Sequence, residues 1–510
     1  MKLSQRFSTE GPYESATLNV LGLALLLLTP GLIISGAIEW LSNTSHNESA
    51  LFVSAAISCV AGLLLRTLTS VADDATEKPM AVFSVVSWTW VGCVLIGSLP
   101  YLFSGVFAWS NFDDALFETI SGFSCTGSTV IENIEANGRG ILLWRQLTQW
   151  YGGMGIIVLA VTVLPSLGVG GLQLMAAESP GQKSDKLKAK TIDTAKSLWI
   201  VYFGVTAAIS LLLWMLPKVS LYDAVAHALS TAATGGFSTY NSSIGYFDSF
   251  LVELVIIAGM FLCAMNFNLQ YKFLTGKRGT KTFSKSSEWK LYVKITGFVV
   301  LCVFLLNWLI DSISVGVAFR DSLFNVVALA SSTGFGNVRP DGIGDFVLWG
   351  TATQILLLFL MTVGGTFGST AGGMKTFRLQ IGLKALAKEL KLLRHSTGEY
   401  PIKVGKDEIE EKDVASIVGF ISLFILLVIV GTISLTLFLN EDLITALSGS
   451  ISAMSNMGPA LGEAGPTTNF LEFERASRGI LAALMVIGRL EIYAVLLMFL
   501  SLFDRLSVKK

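Results

Sequence analysis

Charged residues make up only 14% of this 510-residue chain. Soluble domains carry about 25%, so an ordinary water-soluble enzyme is excluded. Histidine and cysteine are also scarce. The three histidines, His46, His227 and His395, are scattered, and the five cysteines, Cys59, Cys93, Cys125, Cys263 and Cys302, form no CxxC pair. Their rarity and spacing argue against a disulfide framework, a structural zinc site and a His-based metal centre. A formal net charge of −1 excludes a polybasic nucleic-acid binder.

Hydrophobic residues fill the gap, at 52% of the chain with a mean hydropathy of +0.64. Runs of roughly 20 apolar residues point to a polytopic membrane protein rather than a string of soluble domains. Ten such spans lie near 17–41, 50–67, 80–105, 141–165, 197–217, 248–271, 291–311, 345–375, 414–439 and 475–503. The first run, about Leu18 to Leu41, is too long for a signal-peptide core and lacks a cleavage site, so it reads as a span.

An even number of spans puts both termini on one side, and the basic residues choose the side. With the termini inside, the inner segments hold all but eight of the 36 Lys and Arg; the exceptions are Arg139, Arg145, Lys218, Arg320, Arg339, Arg475, Arg478 and Arg489. That asymmetry satisfies the positive-inside rule. The basic inner stretches Lys183–Lys196, Lys272–Lys294 and Lys375–Lys412 set topology and offer surfaces for a cytosolic partner.

Four outer segments are not polar loops. Each holds a short amphipathic stretch that starts at an acid and ends at glycine: Asp114 to Gly127, Asp223 to Gly235, Asp321 to Gly334 and Asp442 to Gly458. The glycines recur at intervals of 108, 99 and 124 residues, the mark of internal repetition. The acid suits a helix N-cap. A helix of 12 residues is about 18 Å long and reaches partway across a hydrocarbon core of about 30 Å. The chain must then return as non-helical backbone, which is tolerable only if buried in protein or lining a water-filled path. Glycine lets carbonyls turn toward a common centre, and a ring of carbonyls can replace the hydration shell of a monovalent cation.

The eighth span is interrupted by Gly364, Gly365, Gly368, Ser369, Thr370, Gly372 and Gly373, a run too rich in glycine for a robust helix. Half-helices joined by unwound backbone mark ion paths. The same run nearly spells a phosphate-binding loop, but Met374 intrudes before Lys375 and a membrane span precedes it. Arg489 lies near the middle of the last span, where a charge is costly and points to function; an interhelical ion pair or a carbonyl-capped arginine is the structural alternative. Glu118, His227 and Asn325 occupy the short helices and read as anchors, with the outer vestibule as the other place for them. Glu253, Asn266 and Asn268 read as links between helices.

The four glycine turns, the segment Trp150–Thr162, the broken eighth span, Gly458–Gly462 and Gly488–Glu491 together resemble the Trk/Ktr/HKT superfamily of K+ transporters, and within it the TrkH-type membrane subunits. The resemblance covers nearly the whole chain. It implies an all-α polytopic membrane protein of ten transmembrane helices, with two extra N-terminal spans (1–79) before four span–pore-helix–span repeats in pseudo-fourfold arrangement (80–196, 197–290, 291–413 and 414–510). It implies a K+ filter at Thr126, Gly127, Thr234, Gly235, Thr333, Gly334, Met457 and Gly458, with glycine rather than serine at 127 pointing to K+ over Na+. The run 364–374 becomes a gating loop, with Arg489 a fixed charge under the filter. Implied too are a homodimer in the bacterial cytoplasmic membrane and a separate cytosolic, nucleotide-binding regulatory subunit (TrkA-like). No organic cofactor is expected in this chain.

Other readings remain. A carrier coupling K+ to Na+ or H+, or a pathway that passes both K+ and Na+, lies within the same family. An intramembrane aspartyl protease is the distant rival, because Tyr222-Asp223 and Gly342-Ile-Gly-Asp345 formally match its acid pairs.

Overall fold

The computed structural model describes residues 12–42, 46–69, 79–155, 187–276, 281–395, 398–405, 407–438 and 442–490, with residues 492, 493 and 495 beyond them. The described residues are predominantly helical. A two-residue antiparallel hairpin pairs Lys403 with Glu408 and Val404 with Asp407. The protein is an all-α polytopic membrane protein. Among the described residues six helices are long and apolar enough to cross a membrane: Ser15–Ser42, Glu48–Leu68, Val85–Phe103, Lys196–Trp214, Ser287–Leu309 and Glu411–Leu437.

The first two of these pack tightly on each other. They can do so because Gly22 and Gly62 face one another: a Cβ on Gly62 would lie 2.8 Å from the Gly22 carbonyl oxygen. Small residues at a crossing let helix backbones approach closely in lipid, where van der Waals packing carries the association.

The other four long helices each open a repeated unit. Each is followed by a half-span helix: Phe112–Phe123, Leu221–Ala233, Val315–Ala330 and Leu443–Ser455. An extended segment returns from each, and a second helix follows: Arg139–Trp150, Phe250–Cys263, Thr351–Val363 and Arg475–Arg489. These second helices are 12, 14, 13 and 15 residues long, about 18–23 Å; for the second and third that is short of a full crossing. The second and third stop at a break. The second bends by 99° into Phe267–Thr275 and the third enters a loop before Thr376–Arg394, whereas the first continues as a π-helix at Tyr151–Gly155 and the fourth is helical to Arg489.

This corrects the reading of 248–271 as one continuous span. The backbone freed at its bend is bonded to the third unit's loop: Thr366 N and Oγ1 both donate to the Ala264 carbonyl, and Phe267 N donates to the Gly368 carbonyl. Irregular backbone at membrane depth survives because it is satisfied inside the protein. The continuations 156–165 and 496–503 of two other spans, and both chain ends, lie outside the described residues.

The long helices present Ile200, Phe203, Leu211, Phe298, Leu301, Ile429 and Ile433 outward. The half-span helices do the opposite and bury polar side chains such as Glu118, His227 and Asn325. An apolar exterior around a polar interior is the arrangement of a bundle built around a pathway.

Candidate functional site

The four half-span helices end in the same way. A residue in the left-handed region follows each: Cys125 (φ 57°), Thr234 (φ 52°), Ser332 (φ 52°) and Asn456 (φ 51°). Its N–H donates three residues back, and the next N–H donates five residues back: Thr126 to Ser121, Gly235 to Ser230, Thr333 to Ala328 and Met457 to Ser452. This is the Schellman cap, which usually carries glycine at the left-handed position. None of the four is glycine, and Thr234 is β-branched, so the local conformation is strained.

The second residue after each of these is a glycine at positive φ: Gly127 (88°), Gly236 (83°), Gly334 (77°) and Gly458 (98°). Each glycine is packed against a carbonyl of another unit. A Cβ on Gly127 would lie 2.3 Å from Gly235 O, one on Gly236 2.2 Å from Thr333 O, one on Gly334 1.8 Å from Met457 O, and one on Gly458 2.5 Å from Thr126 O. The contacts run from the first unit to the second, third, fourth and back to the first. Four carbonyls and four glycines therefore close a ring. The same glycines line one cavity of about 130 Å³ together with the returning segments.

Thr126, Gly127, Thr333, Gly334, Met457 and Gly458 occupy equivalent places in this ring. In the second unit the equivalent pair is Gly235 and Gly236, so the alignment on Thr234 and Gly235 is out by one residue. The Thr-Gly dipeptide misleads because Thr234 is the cap residue. Counting 13 residues from Asp114, Asp223 and Asp321 lands on Gly127, Gly236 and Gly334, so the signal was present.

Those acids also need correction as N-caps. Only Asp442 caps with its side chain, accepting from Thr445 N at 3.0 Å. Ser220 caps the second helix. Asp114 pairs with Arg478, Asp223 accepts from Thr239 Oγ1 and Tyr240 Oη, and Asp321 takes a two-pronged bond from Arg339 at 2.9 Å and 2.9 Å. They sit inside their helices: Asp223 and Asp321 hold the returning chain, and Asp114 ties its helix to Arg475–Arg489.

Glu118, His227 and Asn325 all stand seven residues before the cap residue and anchor those segments. Glu118 accepts from Thr129 Oγ1, Val130 N and Arg145 Nε (2.8 Å), and neither member of the Glu118–Arg145 pair is exposed. Arg145 reaches on to the Ser238 carbonyl at 3.1 Å and lies 4.0 Å from the centre of the Phe237 ring. His227 Nε2 meets Ser238 Oγ at 2.9 Å. Asn325 Nδ2 donates to Asn337 Oδ1 at 2.9 Å and to the Gly344 carbonyl at 3.3 Å. The fourth helix has Gly449 at this place, and neighbouring Ser448 accepts from Leu461 N at 2.9 Å instead. Glu253 pairs with Arg320 at 2.8 Å, and Asn266 caps a helix by accepting from Leu269 N.

The run 364–375 lies against the helix ends that carry the ring. Thr370 Oγ1 donates to the Ala232 carbonyl at 3.1 Å, and Gly372 N donates to Ser332 Oγ at 2.6 Å. Gly372 has no room for a side chain, since a Cβ would lie 2.1 Å from Ser455 O. Gly364, Gly368 and Gly373 take positive φ. Gly365 packs on Ala371 and the Ala264 carbonyl, and Ser369 Oγ donates back to the Thr366 carbonyl at 2.6 Å. Arg489 ties this loop to the first unit: it donates to the Thr370 carbonyl at 2.9 Å and to those of Gly152 and Gly153 at 2.7 Å and 2.9 Å. Glu491 is outside the described residues.

A model of the cation transport protein family TrkH matches residues 47–507. The chain belongs to the TrkH family. It is similar to the Trk system potassium uptake protein TrkH of Escherichia coli K12, 32% identical over 96% of this chain and 99% of that one. The TrkH of Vibrio parahaemolyticus is 37% identical over 82% of this chain and 85% of that one. A crystal structure titled as the potassium transporter TrkH from Vibrio parahaemolyticus superposes with a TM-score of 0.82 at 31% identity, covering 95% of this chain and 98% of that one. As a TrkH-family member the chain is a multi-pass membrane transporter subunit and not an enzyme. The acid pair of the protease reading is otherwise engaged, with Asp223 holding Thr239 and Tyr240 and Asp345 capping Val347. Among the described residues no cluster of His, Cys, Asp and Glu could hold a metal.

Proposed function

We propose that this TrkH-family chain takes up K+ across the bacterial cytoplasmic membrane through the ring of Thr126–Gly127, Gly235–Gly236, Thr333–Gly334 and Met457–Gly458. The observation that carries the reading is the closed cycle of glycine–carbonyl contacts running through all four units. Carbonyl oxygens take the place of water around a dehydrated cation, and the four helix C-termini add partial negative charge on the same ion. The curated relatives, named as potassium uptake proteins, favour K+ as that ion.

The gate is the run from Gly364 to Gly373 (with Gly365, Gly368, Ser369, Thr370 and Gly372), latched under the ring by Arg489. The arrangement fits ten spans, two N-terminal ones (1–79) and four repeats at 80–196, 197–290, 291–413 and 414–510, with both termini cytoplasmic.

The assembly is a homodimer. Helix Thr376–Arg394 carries Leu379, Leu383, Leu386, Leu390 and Leu393 at alternating four- and three-residue steps, the heptad spacing of a helix seam. The last four are exposed, up to 85% at Leu393. A second copy of the same helix matches that stripe. The basic residues on this helix and on 272–294 suit a cytosolic regulatory subunit of the TrkA kind.

The test is rubidium uptake by proteoliposomes holding the purified chain, alone and with its regulator, competed with K+ and Na+. Competition by K+ far ahead of Na+ is expected. Uptake competed equally by both ions overturns K+ selectivity, and silence in both preparations overturns the uptake reading.

A further inference from the structure

Gln149 is fully buried on the helix Arg139–Trp150, and its amide sits behind the second unit's part of the ring. Its Oε1 accepts from Ser230 Oγ at 2.7 Å and from Phe237 N at 3.2 Å, and its Nε2 donates to the Gly235 carbonyl at 2.5 Å. A backbone N–H only donates and a carbonyl only accepts, so these two partners leave the amide one orientation. The side chain also explains the second glycine of this turn. A Cβ on Gly235 would lie 2.3 Å from Gln149 Cδ, so Gly235 makes room for the amide while Gly236 makes room for the next carbonyl of the ring.

The hold is peculiar to one oxygen of the four. Among the described residues no side-chain amide donates to the carbonyls of Thr126, Thr333 or Met457. The Gly235 peptide is pinned at both ends, its N–H to the Ser230 carbonyl and its oxygen to Gln149. A carbonyl with two lone pairs can serve a donor and a cation together. Because the amide lies behind the ring, it resists movement of that oxygen toward the centre. Sodium is the smaller ion and needs its oxygens drawn closer than potassium does.

We propose that Gln149 is a positioning residue for ion selection: it holds the Gly235 oxygen at a radius that suits K+ and opposes contraction of the ring around Na+. The inference rests on the K+ uptake reading, and its test separates the two. Purified full-length chain in detergent is unfolded thermally while KCl or NaCl is titrated, and the half-saturating concentration for stabilisation is read for each ion. The wild-type chain is expected to favour K+. Gln149→Met keeps the volume and removes the amide, and Gln149→Glu keeps the acceptor for Ser230 and Phe237 and removes the donor. Both are expected to lower the K+-over-Na+ ratio by about fivefold to tenfold, the range of one lost hydrogen bond. A ratio unchanged in either folded variant overturns the assignment, as does an equal weakening for both ions, which is what a merely structural role gives. If the wild-type chain shows no K+ preference, the uptake reading falls and takes this inference with it.

Discussion

Gly236 meets two constraints that no other residue type satisfies. Its φ of 83° lies in the region closed to most side chains, and its missing Cβ leaves space for the Thr333 oxygen, which would lie 2.2 Å from a Cβ there. Left-handed backbone costs about 1–2 kcal/mol for an L-residue, and the overlap adds displacement of the ring itself. Gly236→Ala is therefore expected to abolish K+-competed rubidium uptake. Gly204→Ala, at a position with open space around it, is expected to leave it intact. Uptake with full K+ preference from Gly236→Ala would show that the second unit is in another register. Arg489 belongs to the same scale. Arg489→Ala removes three charge-assisted bonds to loop and turn carbonyls, each worth about 1.5–3 kcal/mol, and unregulated uptake is expected to rise. Unchanged uptake from well-folded Arg489→Ala protein would remove this residue from the gate. Arg489 stood out in the sequence as a costly charge in the last span, whereas the second unit's ring glycine was read as Gly235. What escaped was register, because the Thr-Gly dipeptide is more conspicuous than the 13-residue count from Asp114, Asp223 and Asp321.

The half-span helices and their returning segments were legible as elements, because four acid-to-glycine stretches recur between apolar spans. What pins them was less so. Of the eight Lys and Arg residues that the charge count sets apart, Arg145, Arg320, Arg339, Arg475 and Arg478 each pair with a carboxylate. Those pairings join residues far apart in sequence, and periodicity reports only neighbours along one element. The Glu118–Arg145 pair fastens the first helix to two returning segments, and it is wholly buried. Removing one partner of such a pair costs about 3–5 kcal/mol, because the other charge is left uncompensated. Arg145→Met should lower the thermal midpoint in detergent sharply. Adding Glu118→Gln to it should recover part of the loss, since no buried charge is then stranded. A double variant no more stable than Arg145→Met would mean the two side chains act independently.

At the scale of the whole molecule, hydropathy found the membrane class but overstated continuity. The six full-length helices have apolar faces toward lipid. Two of the units' second helices, Phe250–Cys263 and Thr351–Val363, are as apolar, yet each breaks where its backbone meets the loop. Composition records that they are buried, not that they stop. The heptad leucines of Thr376–Arg394 are a further whole-molecule feature, since their meaning depends on a second copy. The opposite face of this helix is already occupied: Ile381 is buried, and Lys388 pairs with Glu411 at 2.6 Å. That leaves Leu383, Leu386, Leu390 and Leu393 facing away from their own chain. Full burial of a leucine stabilises by about 1.5–3 kcal/mol, so half-exposed leucines gain about 1 kcal/mol apiece at a seam, and a charge placed there loses its hydration without a partner. Leu386→Glu with Leu390→Glu is expected to shift the detergent-purified protein from a mass of two chains to one in light scattering corrected for bound detergent. Lys384→Glu, on the face where Lys384 donates to the Lys403 carbonyl, is expected to leave the dimer intact. A doubly substituted stripe that still runs as a dimer would move the interface elsewhere on the molecule, while the ring, which is complete within one chain, would keep its K+-competed uptake in either case.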